Sequence, residues 1–295
     1  AEVQPDHFDE VVDSLAALRS AALELVRGGI APPKVLIACE KDAVGAKIFR
    51  QAGCDVATCD WEPSSCADIP HYQGDVADIQ DLGWTLVLGH PPCTYLANSG
   101  VSQLHTDSAR WLKVVENASL FRRMSSAKAP FVALENSKMH RYGKAMVGGT
   151  GPTCYVHPWQ HGTGHTKPTA LHLQNLPPIH PTCIVEGREH AMARLVPSPE
   201  RAALRSRTYI GIAAALATQW VPLLLAHARA EARPLASSQA GDLVAQAYLS
   251  GIPQKHIRLA FVRSDPSQPS SLEVAAERTL GGQDRLVGSP VTGDS

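Results

Sequence analysis

The chain has 295 residues, 44% of them hydrophobic, with 27 Lys and Arg against 28 Asp and Glu. A net charge of −1 excludes a polycationic, histone-like nucleic-acid binder but leaves room for a local basic face. No apolar run is read as approaching the roughly 18 residues of a membrane span, and the acidic opening AEVQPDHFDE is unlike a secretory signal. Seven cysteines without regular spacing argue against a disulfide framework. The expectation is a soluble, cytoplasmic protein with reduced thiols and no membrane partner.

Residues 8–28 place Phe8, Val11, Val12, Leu15, Leu18, Ala22, Leu25 and Val26 at helical spacings, and Gly28-Gly29 and Pro32-Pro33 end that helix. Val35-Leu36-Ile37-Ala38 reads as a buried parallel strand. A helix over 45–51 stops at Gly53, and a second short strand covers 56–59, closed by Asp60-Trp61. Gln73-Gly74-Asp75-Val76 reads as the end of a loop leading into a helix. Leu86-Val87-Leu88 is a further buried strand, closed by His90-Pro91-Pro92-Cys93. A helix is predicted over 108–125 with Trp111, Leu112, Val115, Ala118 and Phe121 on its apolar stripe, then a strand over 131–134 ending in Glu135-Asn136.

Residues 143–205 are rich in Gly, Pro, His and Thr, with one strand candidate at 170–173; 210–228 is a long apolar helix containing Trp220 and Pro222. Residues 243–262 are read as a helix and a strand, and 264–295 as a largely disordered tail. Strands alternating with helices predict an α/β, mostly parallel sheet with helices on both faces, whose ligands bind at the carboxyl ends of the strands. Glu40, Asp60, Cys93 and Glu135 all fall at such ends.

A thiol after a Pro-Pro turn suits a nucleophile, because thiolate attacks electron-poor carbon well; a buried structural cysteine is the plainer reading. A buried carboxyl at Glu135 is expected to have a raised pKa and to donate a proton near neutral pH. The plainer reading of Glu135-Asn136 is a capping pair. Cys154, His157, His161 and His165, with His180 and Cys183, show zinc-like spacings. Pro158, Gly162 and Gly164 oppose the helix that would align them, so no metal is expected.

These motifs together resemble the cytosine carbon-5 DNA methyltransferases, and more closely their short phage- or prophage-type relatives, over residues 34–225. The resemblance implies a Rossmann-like methyltransferase fold, S-adenosyl-L-methionine (SAM) as cofactor, and DNA bearing a flipped cytosine as partner. Pro92-Cys93 matches the family's Pro-Cys, implying Cys93 as catalytic nucleophile, and Glu135-Asn136 matches the Glu-Asn at the cytosine. Lys167 stands for the family's basic partner of the cytosine carbonyl, in a His165-x-Lys167-x-Thr169 pattern. The implied cofactor set is Cys39, Glu40, Asp42 and Ala43 in the first loop, with Asp60, Trp61, Asp75 and Pro92. The implied substrate set is Asn136, His165 and Thr169, with Asn98 and Ser99 on the loop that closes over the base.

The chain departs from the family in a glycine-poor first loop, in Lys167 for Arg, and in an uncharged Thr169. The domains expected are an N-terminal helical extension at 1–33, a catalytic domain at 34–232 with a very small target-recognition segment around 170–207, and a C-terminal extension at 233–295. So small a segment implies short or relaxed sequence specificity. Basic residues over 103–144 (Arg110, Lys113, Arg122, Arg123, Lys128, Lys138, Arg141, Lys144) and Arg188, Arg194, Arg201, Arg205 and Arg207 suit phosphate contact or a solvated face. Two other readings of function stay open here: a SAM-fold nucleic-acid binder without catalysis, and a methyltransferase acting on RNA, a free nucleotide or an exocyclic amino group.

Overall fold

Fully apolar runs such as Val35–Ala38 can be buried on both sides only inside a sheet covered by helices. A computed structural model describes residues 5–40, 42–149, 151–186, 188–189, 208–232 and 239–249. It places seven strands in one sheet: β1 (Lys34–Ala38), β2 (Asp55–Asp60), β3 (His71–Gln73), β4 (Leu86–Gly89), β5 (Phe131–Ser137), β6 (Cys154–Val156) and β7 (Thr169–Gln174). The strand order is β3-β2-β1-β4-β5-β7-β6. β1 to β5 are mutually parallel, and β7 runs antiparallel to both β5 and β6. The chain winds outward from β1 to β3, then crosses back to β4 beside β1. The fold is α/β and Rossmann-like, and the β1–β4 junction is its topological switch point, where such sheets bind ligands.

Helices α1 (Pro5–Arg27), α2 (Val44–Gln51) and α5 (Ile210–Glu231) cover one face, over Val35, Ile37, Leu86, Leu88 and Ala133. Helices α3 (Arg110–Ser125) and α6 (Ala240–Leu249) cover the other, over Leu36, Val87, Val132 and Leu134. The short α4 (Arg141–Met146) follows β5. Leu15, Ala22 and Leu25 of α1 are buried in the same cluster as the sheet, so this helix shares the core rather than standing apart from it.

Three sequence expectations need correction. The α3 stripe is rotated: Val114, Ala118, Phe121 and Met124 are buried, whereas Leu112 is 69% and Val115 49% exposed. With Val114 and Val115 adjacent, two helical faces carried similar apolar patterns, and packing on the sheet selected one. Second, Asp75 leads not into an α-helix but into a single 3-10 turn, Val76–Asp78, and His71–Gln73, one residue before it, form edge strand β3. Third, α5 is 22 residues long and apolar enough to cross a membrane by composition. Its Ile212, Leu216, Trp220, Val221 and Leu224 are instead buried in the core, and the Trp220 indole N–H donates to the Pro177 carbonyl at 3.0 Å.

The helix and strand expected at 243–262 begin as α6, held where the Ala240 N–H donates to Asp55 Oδ2 at 2.6 Å. The rest of that segment and the tail from 264 lie outside the described residues.

The N-terminus of α5 passes so close to the 158–165 loop that a Cβ on Gly211 would lie 1.8 Å from the His161 carbonyl oxygen. Backbone cannot yield as a side-chain tip can, so Gly211→Ala is expected to cost about 3 kcal/mol. Gly151→Ala, with nothing within 4 Å, is expected to stay within about 0.5 kcal/mol of wild type. Thermal denaturation of both variants checks the packing.

Candidate active site

The first loop leaves β1 with Cys39 at φ 60° and re-enters helix at Ala43 with φ 54°, both in the left-handed region that glycine normally fills. Such positions cost about 1 kcal/mol or more each and persist only where surrounding contacts enforce them. Glu40, between them and only 6% exposed, supplies those contacts. Its carboxylate accepts from the N–H groups of Gly45 at 2.9 Å and Ala46 at 3.3 Å, and from the Thr208 hydroxyl at 3.3 Å. It thereby caps the positive end of α2 and ties the entry of α5 to the loop. The missing glycines are replaced by a buried carboxylate and two left-handed residues.

The other residues expected at this end gather around it. Asp60 ends β2 and accepts from the Glu62 N–H at 2.9 Å, and the following Trp61 is 68% exposed. Asp75 caps the 3-10 turn through Ala77 N–H at 3.0 Å and accepts from Arg123 at 3.1 Å. Burial, reinforced by the charges of Asp60 and Asp75, pushes the Cys39 thiol up to about 12, so it is not a nucleophile. Asp42 is half-buried and Ala43 buried.

On the other side of the switch point, the turn after β4 is stitched to the end of β5. The Asn136 amide donates to the Pro91 carbonyl at 3.0 Å, Asn98 N–H to Lys138 carbonyl at 2.8 Å, and His140 N–H to Leu96 carbonyl at 2.9 Å. The Cys93 carbonyl accepts from Leu96 and Ala97 N–H groups at 3.0 and 2.8 Å. Cys93 is half-buried and Pro92 exposed. The Oδ1 atom of Asn136 is buried with no hydrogen-bond partner.

Glu135 differs from the sequence expectation. Its Oε2 lies 2.7 Å from Nδ1 of His90, with the two side chains 21% and 14% exposed. Burial alone would raise the Glu135 pKa, but the hydrogen bond and charge of His90, with Lys167, outweigh it and hold the carboxyl at about 2. Burial likewise opposes the imidazolium, and the Glu135 bond and charge, aided by Glu40, raise His90 above its ordinary value. Both shifts favour the charged forms of the pair, opposite in direction to the raised carboxyl that burial alone would give. His90 was visible in the turn motif, but its partner is 45 residues away and only the sheet brings them together.

Lys167 reaches this pair electrostatically and lies 5.5 Å from the centre of the Tyr209 ring, whose hydroxyl is 3.4 Å from His165 Nδ1. Thr208 and Tyr209 reach the site from the segment that opens α5, which by resemblance is the one expected to return and close the cofactor pocket. Thr169 is buried, pairs with Ser137 across the β5–β7 ladder, and donates to the Lys167 carbonyl at 3.3 Å. Asn98 and Ser99 are exposed at the start of a 3-10 helix, Asn98–His105.

Of the residues with zinc-like spacing, His161 is buried with Nδ1 3.1 Å from Thr182 Oγ1. Among the described residues no group of three or more His, Cys, Asp or Glu is placed to hold an ion. Part of the basic surface is used internally: Arg123 pairs with Asp75, Lys113 with Glu116, and Arg110 lies 4.8 Å over the Tyr95 ring. Arg188 lies 3.7 Å over the Trp159 ring, while Arg194, Arg201, Arg205 and Arg207 fall outside the described residues.

No protein-family model and no curated protein matches the chain. Among solved structures it is similar to one described as a candidate DNA modification methyltransferase encoded within a prophage of E. coli. That similarity has 16% identity and a TM-score of 0.36, and it covers 56% of each chain.

The pKa directions set a pH signature. Glu135 lies below its ordinary value, so its contribution to stability is present above about pH 4.5 and is lost as pH falls toward 2. His90 is raised, so its contribution is full below its ordinary 6.5 and is lost as pH rises through the higher folded value. Glu135→Gln is therefore expected to cost about 1–3 kcal/mol near pH 5.5 and less on either side of that window. Melting temperatures of both proteins from pH 3 to pH 9 test this.

Proposed function

We propose that the chain is a SAM-dependent methyltransferase that methylates carbon 5 of cytosine in DNA through a covalent Cys93 adduct. The observation that supports this reading is at the carboxyl ends of β4 and β5: Glu135 lies under the influence of His90 and Lys167, and the adjacent Asn136 amide bonds the Pro91 carbonyl of the turn that carries Cys93. A nucleophile, a carboxylate and a cation so placed can activate an electron-poor ring held between them.

The opposite half of the edge suits the cofactor. Glu40, Asp42, Asp60 and Asp75 surround the β1–β2–β3 ends with negative charge, favourable to a sulfonium cation, and the exposed Trp61 ring offers a face to adenine. In this assignment Cys39, Ala43 and Pro92 line the path, while Glu40 shapes the loop rather than meeting the ligand. SAM, when bound, supplies the methyl group as an electrophile.

The remaining work falls to the chain's own residues. Thiolate of Cys93 attacks carbon 6, which breaks the ring's aromaticity and makes carbon 5 nucleophilic. Glu135 faces ring nitrogen 3 as it gains charge, and Lys167 faces the carbonyl oxygen. Asn136 keeps the Pro91-Pro92 turn in place and leaves its Oδ1 for the base; His165 and Thr169 hold the Lys167 segment, and Asn98 and Ser99 lie on the rim. The target atom is inaccessible inside a duplex, so the cytosine must be flipped out. Basic residues outside the internal pairs, such as Lys138 and Lys144, supply salt-dependent affinity for phosphate. The compartment that fits DNA as partner is the cytoplasm.

Transfer of labelled methyl from SAM to duplex DNA, single-stranded DNA, RNA and dCMP tests the reading. Activity is expected on DNA, and Cys93→Ala and Cys93→Ser are expected to lose it while melting as wild type does. Methyl transfer retained by Cys93→Ala would contradict the nucleophile, and transfer confined to RNA or dCMP would contradict the acceptor.

A further inference from the structure

If Glu135 is to protonate ring nitrogen 3, its proton must come from somewhere, because its 2.7 Å contact with the His90 ring favours the carboxylate. We propose that His90 is a positioning residue that stores this proton: its Nδ1–H, 2.7 Å from Glu135 Oε2, passes to Glu135 as the base is attacked and returns when the base leaves. The inference rests on the reaction proposed above.

The geometry follows from the sheet register. Gly89 of β4 pairs with Leu134 of β5, so His90 and Glu135 are the next residues beyond that ladder and emerge together at the strand ends. Donation of the His90 N–H to the Ala38 carbonyl at 2.9 Å fixes its backbone to β1. Nε2 of His90 is buried without a hydrogen-bond partner, so Glu135 is the ring's partner among the described residues.

The charged groups acting on His90 are Glu135 from β5, Glu40 from the loop after β1 and Lys167 from the segment before β7. Glu40 is engaged by the N–H groups of Gly45 and Ala46 and by the Thr208 hydroxyl. Lys167 lies against the Tyr209 ring. His90 is the group in the cluster whose chemistry suits reversible loss of a proton there.

The step balances as follows. The sulfur lone pair of Cys93 forms the S–C6 bond, and the C5–C6 π pair moves to C4–C5. The C4–N3 π pair moves to N3 and takes a proton from Glu135. That proton comes from His90: its Nδ1–H bond breaks as the proton passes to Glu135 and on to N3, so Glu135 is a carboxylate before and after and His90 is left neutral. After methyl transfer water takes the carbon-5 proton, the C5–H pair re-forms the C5–C6 π bond and expels the thiolate, and the N3 proton returns through Glu135 to His90.

Two measurements test this. The first is the pH dependence of methyl transfer by wild type and His90→Gln, since glutamine can still donate to Glu135 but has no proton to surrender. For His90→Gln, kcat is expected to fall by about 100-fold at neutral pH, with KM for DNA and SAM changed by less than about twofold. Its alkaline limb should shift by more than about one pH unit. The same profile in both proteins would overturn the relay while leaving the methyltransferase reading intact; no transfer by wild type to any acceptor would overturn that reading and the relay with it.

The second is the ¹⁵N spectrum of the His90 ring, assigned in the wild-type protein without DNA. Both ring nitrogens are expected to be protonated at pH 7. A neutral ring at that pH would overturn the relay whether or not His90→Gln folds.

Discussion

The Glu40 carboxylate joins parts of the chain that would otherwise be independent. It is buried at the end of β1, accepts two N–H groups from the first turn of α2, and receives the Thr208 hydroxyl from the segment that opens α5. An unpaired buried carboxylate would be strongly unfavourable, so these donors and the loop conformation they require are adopted together. The left-handed backbone at Cys39 and Ala43 is one consequence. Another is that Glu40 acts electrostatically on His90, which links the acidic half of the edge to the half that holds Cys93, Glu135 and Lys167.

The edge is electrostatically divided. Around the ends of β1, β2 and β3 the side chains are acidic, and the Cys39 thiol is held inert by burial and by Asp60 and Asp75. Around β4 and β5, Glu135 is flanked by two cations, His90 and Lys167. A parallel sheet delivers all its carboxyl ends to one side, so residues from opposite halves of the chain meet there without a long loop to carry them. The antiparallel β7 extends this arrangement by bringing Lys167 back toward Glu135 from the far side of β5.

Much of the frame was legible because its signals are local. The runs at Val35–Ala38, Leu86–Leu88 and Phe131–Leu134 are apolar on both faces and too short for helices, and all three are interior strands. β3 and β6 were missed because each has three residues and a mixed polar pattern, and both lie at the sheet's edges. The reversal of β7 leaves no local trace. The candidate site was legible in its residue types and much less in its electrostatics. Cys93, Glu135 and Lys167 stand out in the chain, but the ionisation of Glu135 depends on His90 and Lys167, which only the folded sheet places beside it. The conformation of the first loop left no local signal: no glycine marks the left-handed positions, which fall on Cys39 and Ala43 beside the buried Glu40 carboxylate.

The most direct measurement is incubation with SAM and DNA containing 5-fluorocytosine, followed by denaturing electrophoresis and peptide mass mapping. Fluorine on carbon 5 cannot leave as a proton does, so an enzyme working through a carbon-6 adduct traps itself on its substrate. The expected result is a stable protein–DNA adduct, dependent on SAM, mapped to Cys93 and absent in Cys93→Ala. Methylation of ordinary cytosine without such an adduct, or an adduct on another cysteine, would contradict Cys93 as the nucleophile at this edge of the sheet.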